Sequence, residues 1–213
     1  VFPMGTTVVT CTATDVVGNV GSAHFQVTVV DTTAPTLTVP ASITLEATGP
    51  AGAVYGYITS ALDIVDGAVT PVCVNASTTF ALGARTVTCT ATDARGNVTT
   101  KQFTVTVQDT TAPSLAPHGN LTAEATGPTG AVVSYTLPTA TDLVDTAVAV
   151  SCTPGSGSTF ALGTTTVTCT ATDASGNTAT STFTVTVQDT TAPTLAAHGP
   201  VTAEATGPNG APV

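Results

Sequence analysis

The string TCTATD, closed by Gly-Asn, occurs three times: in VVTCTATDVVGN from Val8, TVTCTATDARGN from Thr86 and TVTCTATDASGN from Thr166. A second string, DTTAP, also occurs three times, from Asp31, Asp109 and Asp189, and both strings recur at intervals of 78 and 80 residues. Two unrelated strings sharing one period mean a single compact unit repeated, so each unit must close its own core within about 80 residues. In this frame residues 1–30 correspond to the second half of a unit, 31–108 and 109–188 are complete units, and 189–213 open a further one. Unit boundaries normally fall in linkers, so the frame reads as a stretch of a longer array. Completion of each half by a strand from a neighbouring chain is the alternative. The two ends together hold 55 residues, short of a unit, which favours the array.

Local alternation gives the fold class. In TVTCTATD, Val87, Cys89 and Ala91 fall on one side and Thr88, Thr90 and Thr92 on the other. In QFTVTVQD, Phe103, Val105 and Val107 face one way and Thr104 and Thr106 the other. A period of two with polar outer positions describes strands of half-buried antiparallel sheets. Phe25, Phe103 and Phe183 fall at core positions. ARGN and ASGN between these strands read as hairpin turns, since Gly and Asn tolerate positive φ. ATGPAG at 47–52 reads as the turn after the first strand of its unit. Short strands, Gly/Pro/Asn turns and no helical period predict an all-β protein of tandem immunoglobulin-like β-sandwich modules. Thr supplies about a quarter of the chain, in keeping with strand propensity.

The charge balance excludes some partners. Three Lys+Arg stand against thirteen Asp+Glu, for a formal net charge of −10, and neither nucleic acid nor an anionic membrane binds without a basic patch. No apolar run is long enough to insert into a bilayer. The cysteines recur too: each complete unit holds two, Cys73 with Cys89 and Cys152 with Cys169, and Cys11 corresponds to the second of a pair. Paired cysteines without a Cys-x-x-Cys motif or a Cys/His cluster predict disulfides and an extracellular or cell-surface setting.

The order IVDGAVTPVC at 64–73, STTFALG at 77–83, TVTCTATDARGN at 86–97 and then FTVTVQDTTAP resembles the hyalin repeat (HYR) family. The next unit has DLVDTAVAVSC at 142–152, with Thr146 in place of the glycine. The resemblance covers the whole chain. It implies an immunoglobulin-like fold and a spacer or adhesion role in extracellular proteins, with no reaction attached.

All thirteen carboxylates sit at repeated positions: Asp15/Asp93/Asp173, Asp31/Asp109/Asp189, Glu46/Glu124/Glu204, Asp63/Asp142 and Asp66/Asp145, whereas Arg85, Arg95 and Lys101 recur nowhere. In an immunoglobulin-like sandwich the linker bearing Asp31 and the loops bearing Asp63, Asp66 and Asp93 share the pole where the chain enters. Glu46 runs to the far pole, so Glu46, Asp109, Asp142, Asp145 and Asp173 are expected to converge at the second joint, with Glu124 and Asp189 beginning the same arrangement at a third. A hard cation with six to eight oxygen ligands, Ca²⁺ above all, would relieve the repulsion there and lock the joint. The alternative is that each Asp caps its own turn through hydrogen bonds to the backbone, and the sequence leaves both open.

Asn75, Asn97 and Asn120 stand in N-x-Ser/Thr sequons and are candidate glycosylation sites. His118 and His198 occupy equivalent linker positions and read as packing residues. No nucleophile–base arrangement or phosphate loop recurs, so no enzyme is expected. The function predicted is a structural extracellular array, a stiff stalk or filament whose partners are neighbouring modules or copies. The alternative is a set of adhesin modules that bind a surface receptor or glycan. Low aromatic content and loops alike from unit to unit favour the first.

Overall fold

The computed structural model describes residues 1–212, and every regular element among them is a strand. The chain divides into two compact units: Val1–Leu115 with Ala140–Ala149 and Ala171–Ala179, and Ala116–Thr139 with Val150–Thr170 and Thr180–Val213.

In the first unit, β1 (Gly5–Thr14) and β2 (Val20–Val29) form a two-stranded hairpin. There follow β3 (Thr36–Thr38), β4 (Ile43–Glu46), β5 (Ala53–Val54), β6 (Ser60–Asp63), β7 (Gly67–Val69), β8 (Val72–Val74), β9 (Thr79–Phe80), β10 (Gly83–Thr92) and β11 (Val98–Gln108). One sheet has the order β4-β11-β10-β8 and the other β3-β6-β7, with β5 paired to β9 at the side. β4 runs parallel to β11, Ile43 opposite Val105 and Glu46 opposite Gln108. The inward residues of β10 and β11 (Val87, Cys89, Ala91, Phe103, Val105 and Val107) are all at most 2% exposed and form one buried cluster with Leu37 of β3, Ala61 of β6 and Phe80 of β9. Two sheets thus close on one apolar layer, as a sandwich requires.

The outward threonines are paired across the strands: Thr86 with Thr104 and Thr90 with Thr100, each at 3.2 Å between hydroxyls. Cross-strand Thr pairs of this kind contribute about 0.2–1 kcal/mol each. Phe25 departs from its expected core position and is 54% exposed. Its hairpin is the two-stranded sheet of β1 and β2, which in the repeat frame corresponds to the second half of a unit.

The remaining strands are β12 (Ser114–Leu115), β13 (Leu121–Glu124), β14 (Ala131–Val133), β15 (Ala140–Thr141), β16 (Ala149–Thr153), β17 (Ser158–Phe160), β18 (Gly163–Thr172) and β19 (Thr178–Gln188). The sheet order β13-β19-β18-β16 repeats that of β4-β11-β10-β8, and β13 is again parallel to its neighbour, Leu121 opposite Val185. In the second unit Ala131, Phe160, Val167, Cys169, Phe183, Val185 and Val187 are buried. His118 packs on Phe183, ring centroids 4.1 Å apart, with Tyr135 5.8 Å away.

Disulfides join Cys73 to Cys89 and Cys152 to Cys169. Cys73 and Cys89 face each other directly on β8 and β10. Cys11 is unpaired and exposed.

Candidate metal centre

The Asp63–Asp66 and Asp142–Asp145 loops fold in the same way. Asp63 Oδ1 accepts the N–H groups of Val65 (2.8 Å) and Asp66 (3.0 Å), and Asp142 Oδ1 those of Val144 (2.8 Å) and Asp145 (3.0 Å). A short acidic side chain that bonds the backbone two and three residues on pins the turn. These N–H groups, Asp145 first, hold the Asp142 carboxyl below its ordinary pKa. The second aspartate of each loop reaches across to a neighbouring turn: Asp66 Oδ2 accepts Ala94 N–H at 2.7 Å, and Asp145 Oδ2 accepts Ala174 N–H at 2.8 Å.

The hairpin aspartates behave differently. Asp93 Oδ1 accepts the N–H groups of Arg95 and Asn97, both at 2.8 Å, and its Oδ2 accepts Asn97 Nδ2 at 2.6 Å. Asp173 likewise takes Asn177 N–H at 2.7 Å on Oδ1 and Asn177 Nδ2 at 2.9 Å on Oδ2. Both oxygens are committed, so these two residues shape their hairpins. Their asparagines then reach the incoming linkers: Asn97 Nδ2 donates to the Asp31 carbonyl at 3.3 Å, and Asn177 Nδ2 to the Asp109 carbonyl at 3.1 Å. Asp15 has the same local bonds to Asn19, which lower its pKa, in an exposed hairpin.

Two acidic groups result, both wholly within the first unit. Carboxylate oxygens of Asp31, Asp63, Asp66 and Asp93 lie within 4.8 Å of one another, as do those of Asp109, Asp142 and Asp145. Asp63 is 3% exposed and Asp109 7%. The Oδ2 atoms of Asp31, Asp63 and Asp109 are buried and receive no hydrogen bond. A buried carboxylate oxygen without a donor is costly, and like charges beside it raise that cost. Each group therefore divides its oxygens, one set serving the backbone and the other left over. The donor set is all oxygen and hard, with no His or Cys, which suits Ca²⁺ rather than zinc or copper. Turn capping, one of the two alternatives on sequence grounds, engages Oδ1 of Asp63 and Asp142 and leaves Asp63 Oδ2 without a donor.

Glu46, Glu124, Asp173 and Asp189 stand outside both groups. Glu46 Oε1 accepts Thr110 N–H at 2.7 Å and Thr111 Oγ1–H at 3.1 Å, and Oε2 accepts Thr110 Oγ1–H at 2.9 Å. Glu124 holds Thr190 and Thr191 identically, at 2.7, 2.8 and 3.1 Å. The Thr110 and Thr190 N–H groups are the main reason that both glutamates have lowered pKa values. The sequence signal for these clasps was present, since Thr-Thr follows the aspartate in every DTTAP.

The sequons differ in accessibility. Asn75 and Asn120 are exposed, whereas Asn97 is half-buried with its amide nitrogen engaged by Asp93 and Asp31. Asn75 Nδ2 donates to the Thr86 carbonyl at 3.3 Å, and Asn120 Oδ1 accepts Thr184 N–H at 2.9 Å.

Beside the second acidic group lies a residue that the sequence did not single out. Val144 is 5% exposed and belongs to the buried cluster that contains Ala47, Phe80 and Val107, whereas Val65, at the same place in its own loop, is 47% exposed. Val144→Ala is expected to lower stability by about 1–2 kcal/mol, and Val65→Ala by less than about 0.5 kcal/mol. Urea midpoints of the two variants check this, and equal shifts would contradict the burial difference.

Residues 30–107 and 108–187 each match the family model described as HYR domain. Hyalin of Lytechinus variegatus is 36% identical over 179 residues, which cover 78% of this chain and 33% of that protein. Hyalin of Strongylocentrotus purpuratus is 37% identical over 175 residues, covering 78% of this chain and 15% of that protein. Among solved structures, protocadherin gamma B2 extracellular cadherin domains 1–5 align over 88% of this chain and 47% of that chain, with 18% identity and a TM-score of 0.39.

Proposed function

Because this chain belongs to the HYR domain family, we propose that it is a structural segment of an extracellular repeat array whose repeat boundaries are stiffened by bound calcium. The observation that carries the calcium reading is the pair of buried, donorless oxygens, Asp63 Oδ2 and Asp109 Oδ2, each within an acidic group. Crowding of buried carboxylates favours a balancing cation. Among the described residues no salt bridge partners them, and the chain has only three Lys+Arg to offer. A calcium ion accepts three or four carboxylates and completes its shell with water or carbonyl oxygens, whereas magnesium demands a more regular octahedron. Asp31, Asp63 and Asp66 would hold one ion, and Asp109, Asp142 and Asp145 a second.

The role is structural rather than catalytic. The acids repeat from unit to unit, and each commits an oxygen to its own backbone. The disulfides suit an oxidising exterior. Neighbouring repeats or further copies of the chain are the natural partners, in a stalk or filament. A second reading, adhesin modules that bind a protein receptor, draws on the exposed apolar Ile58, Leu62 and Ile64 around β6.

Calcium titration of the chelated protein, followed by calorimetric melting, tests the first reading. Extracellular calcium modules have Kd values of about 10⁻⁴–10⁻³ M, so 10 mM calcium is expected to stabilise the chain by about 1.4–2.7 kcal/mol per site. Asp63→Asn and Asp142→Asn should each remove one site's share. A melt insensitive to chelator would sink the proposal.

A further inference from the structure

The asparagine that closes the TDxxGN string in both complete repeats has a side chain that its own turn does not require. In the hairpin at 93–97 the turn is made by Asp93, whose Oδ1 accepts the N–H groups of Arg95 and Asn97, and by Gly96 at a φ of +91°. Any residue but proline at 97 offers that backbone N–H. What asparagine adds is Nδ2, which donates to Asp93 Oδ2 at 2.6 Å and to the Asp31 carbonyl, 66 residues away, at 3.3 Å. Asn177 repeats both bonds, to Asp173 Oδ2 at 2.9 Å and to the Asp109 carbonyl at 3.1 Å. Both acceptors are oxygens, so the amide presents its nitrogen to them, and its two N–H groups are both used.

The two linker aspartates are held alike. Oδ1 of Asp31 accepts Thr33 N–H at 3.1 Å, and Oδ1 of Asp109 accepts Thr111 N–H at 3.2 Å, so each carboxylate is turned back on its own segment. The asparagine holds the carbonyl of the same residue. Oδ2 is then the buried oxygen without a donor, in Asp31 and Asp109 equally, and each aspartate lies in an acidic group with loop carboxylates. Asn97 and Asn177 thus tie the main chain of each linker aspartate to a hairpin of the repeat that it opens.

We infer that Asn97 and Asn177 are positioning residues for the two cation sites: without touching the ion, each fixes the main chain of a linker aspartate so that its carboxylate stays beside the loop acids. This rests on the calcium reading above and deepens it, since the hairpin then serves ion binding through its amide, while Asp93 and Asp173 hold that amide in place. Coupling of this kind is reciprocal, so a bound ion must also hold the amide more tightly.

Both directions can be measured on the 213-residue chain. Calcium affinity is read by calorimetry in Asp142→Asn, which keeps only the Asp31 site, and in Asp63→Asn, which keeps only the Asp109 site. Adding Asn97→Ala is expected to weaken binding about fivefold in the first background and to leave the second unchanged, and Asn177→Ala to do the reverse. Gly96→Ala strains the same hairpin but keeps the amide, so in the first background it should lower the melting temperature and leave calcium affinity unchanged. In the unmutated chain, hydrogen exchange of the Asn97 and Asn177 side-chain amides is expected to slow about fivefold on saturation with calcium. The side-chain amide of the exposed Asn120 should not change. Equal losses in both backgrounds or none in either, a loss with Gly96→Ala as large as with Asn97→Ala, or amides indifferent to calcium would each overturn the inference. Absence of calcium binding in the unmutated chain would instead overturn the calcium reading and this inference together.

Discussion

Gly52→Ala is expected to cost about 3 kcal/mol or more of folding stability, and Gly130→Ala the same. Both glycines end a turn of the form T-G-P-x-G, with φ of +96° and +104°, where an L side chain is strained. A Cβ at Gly52 would stand 1.9 Å from the Phe80 carbonyl oxygen and 2.8 Å from Ala81 Cα; at Gly130 it would stand 1.9 Å from the Phe160 carbonyl oxygen. These are backbone atoms that cannot swing aside, and the two carbonyls belong to the strands that carry the buried Phe80 and Phe160. Gly83 separates backbone strain from steric clash. Its φ is +99°, yet nothing lies within 4 Å of its Cβ direction, so Gly83→Ala should cost only about 1–2 kcal/mol. Urea midpoints of the variants settle the matter: equal losses at Gly52 and Gly83 would mean that the close approach to Phe80 contributes nothing.

Removal of the Cys73–Cys89 disulfide is expected to cost about 3 kcal/mol, because its closed loop spans 16 residues and restricts the unfolded chain. For a sandwich of this size that corresponds to a melting temperature roughly 10–20 °C lower. Cys89 is fully buried, so the double replacement Cys73→Ala/Cys89→Ala is the suitable variant; serine would add the burial of a hydroxyl. Calorimetry of this variant and of its Cys152→Ala/Cys169→Ala counterpart should give similar shifts. A melt unchanged by the double replacement would show that the cross-strand ladder of β8 and β10 alone suffices.

Much of this architecture could be read from short-range pattern. Val87, Cys89 and Ala91 alternate with threonines, and that period of two places them on one face whatever else the chain does. The hairpins at 93–97 and 173–177 carry their own turn chemistry, and the cysteine pairing followed from the repeat. The same pattern did not settle burial, however. Val65 and Val144 occupy the same place in their loops and differ almost tenfold in exposure.

The acids divide in the same way. Their thirteen recurring positions and the local turn bonds of Asp63, Asp93 and Asp142 follow from residues at most four apart. Tertiary structure alone decided which oxygens are left without donors and which carboxylates share a group. Asp93 and Asp173 make the same bonds to the asparagine four residues on, and only Asp93 joins one. Glu46, expected among the ion ligands, turned out to grip a linker 64 residues away. The physical reason is range. Alternation and turn geometry are set by neighbouring φ and ψ, whereas the meeting of Glu46 with Thr110 depends on β4 lying parallel to β11, a pairing that no local periodicity encodes.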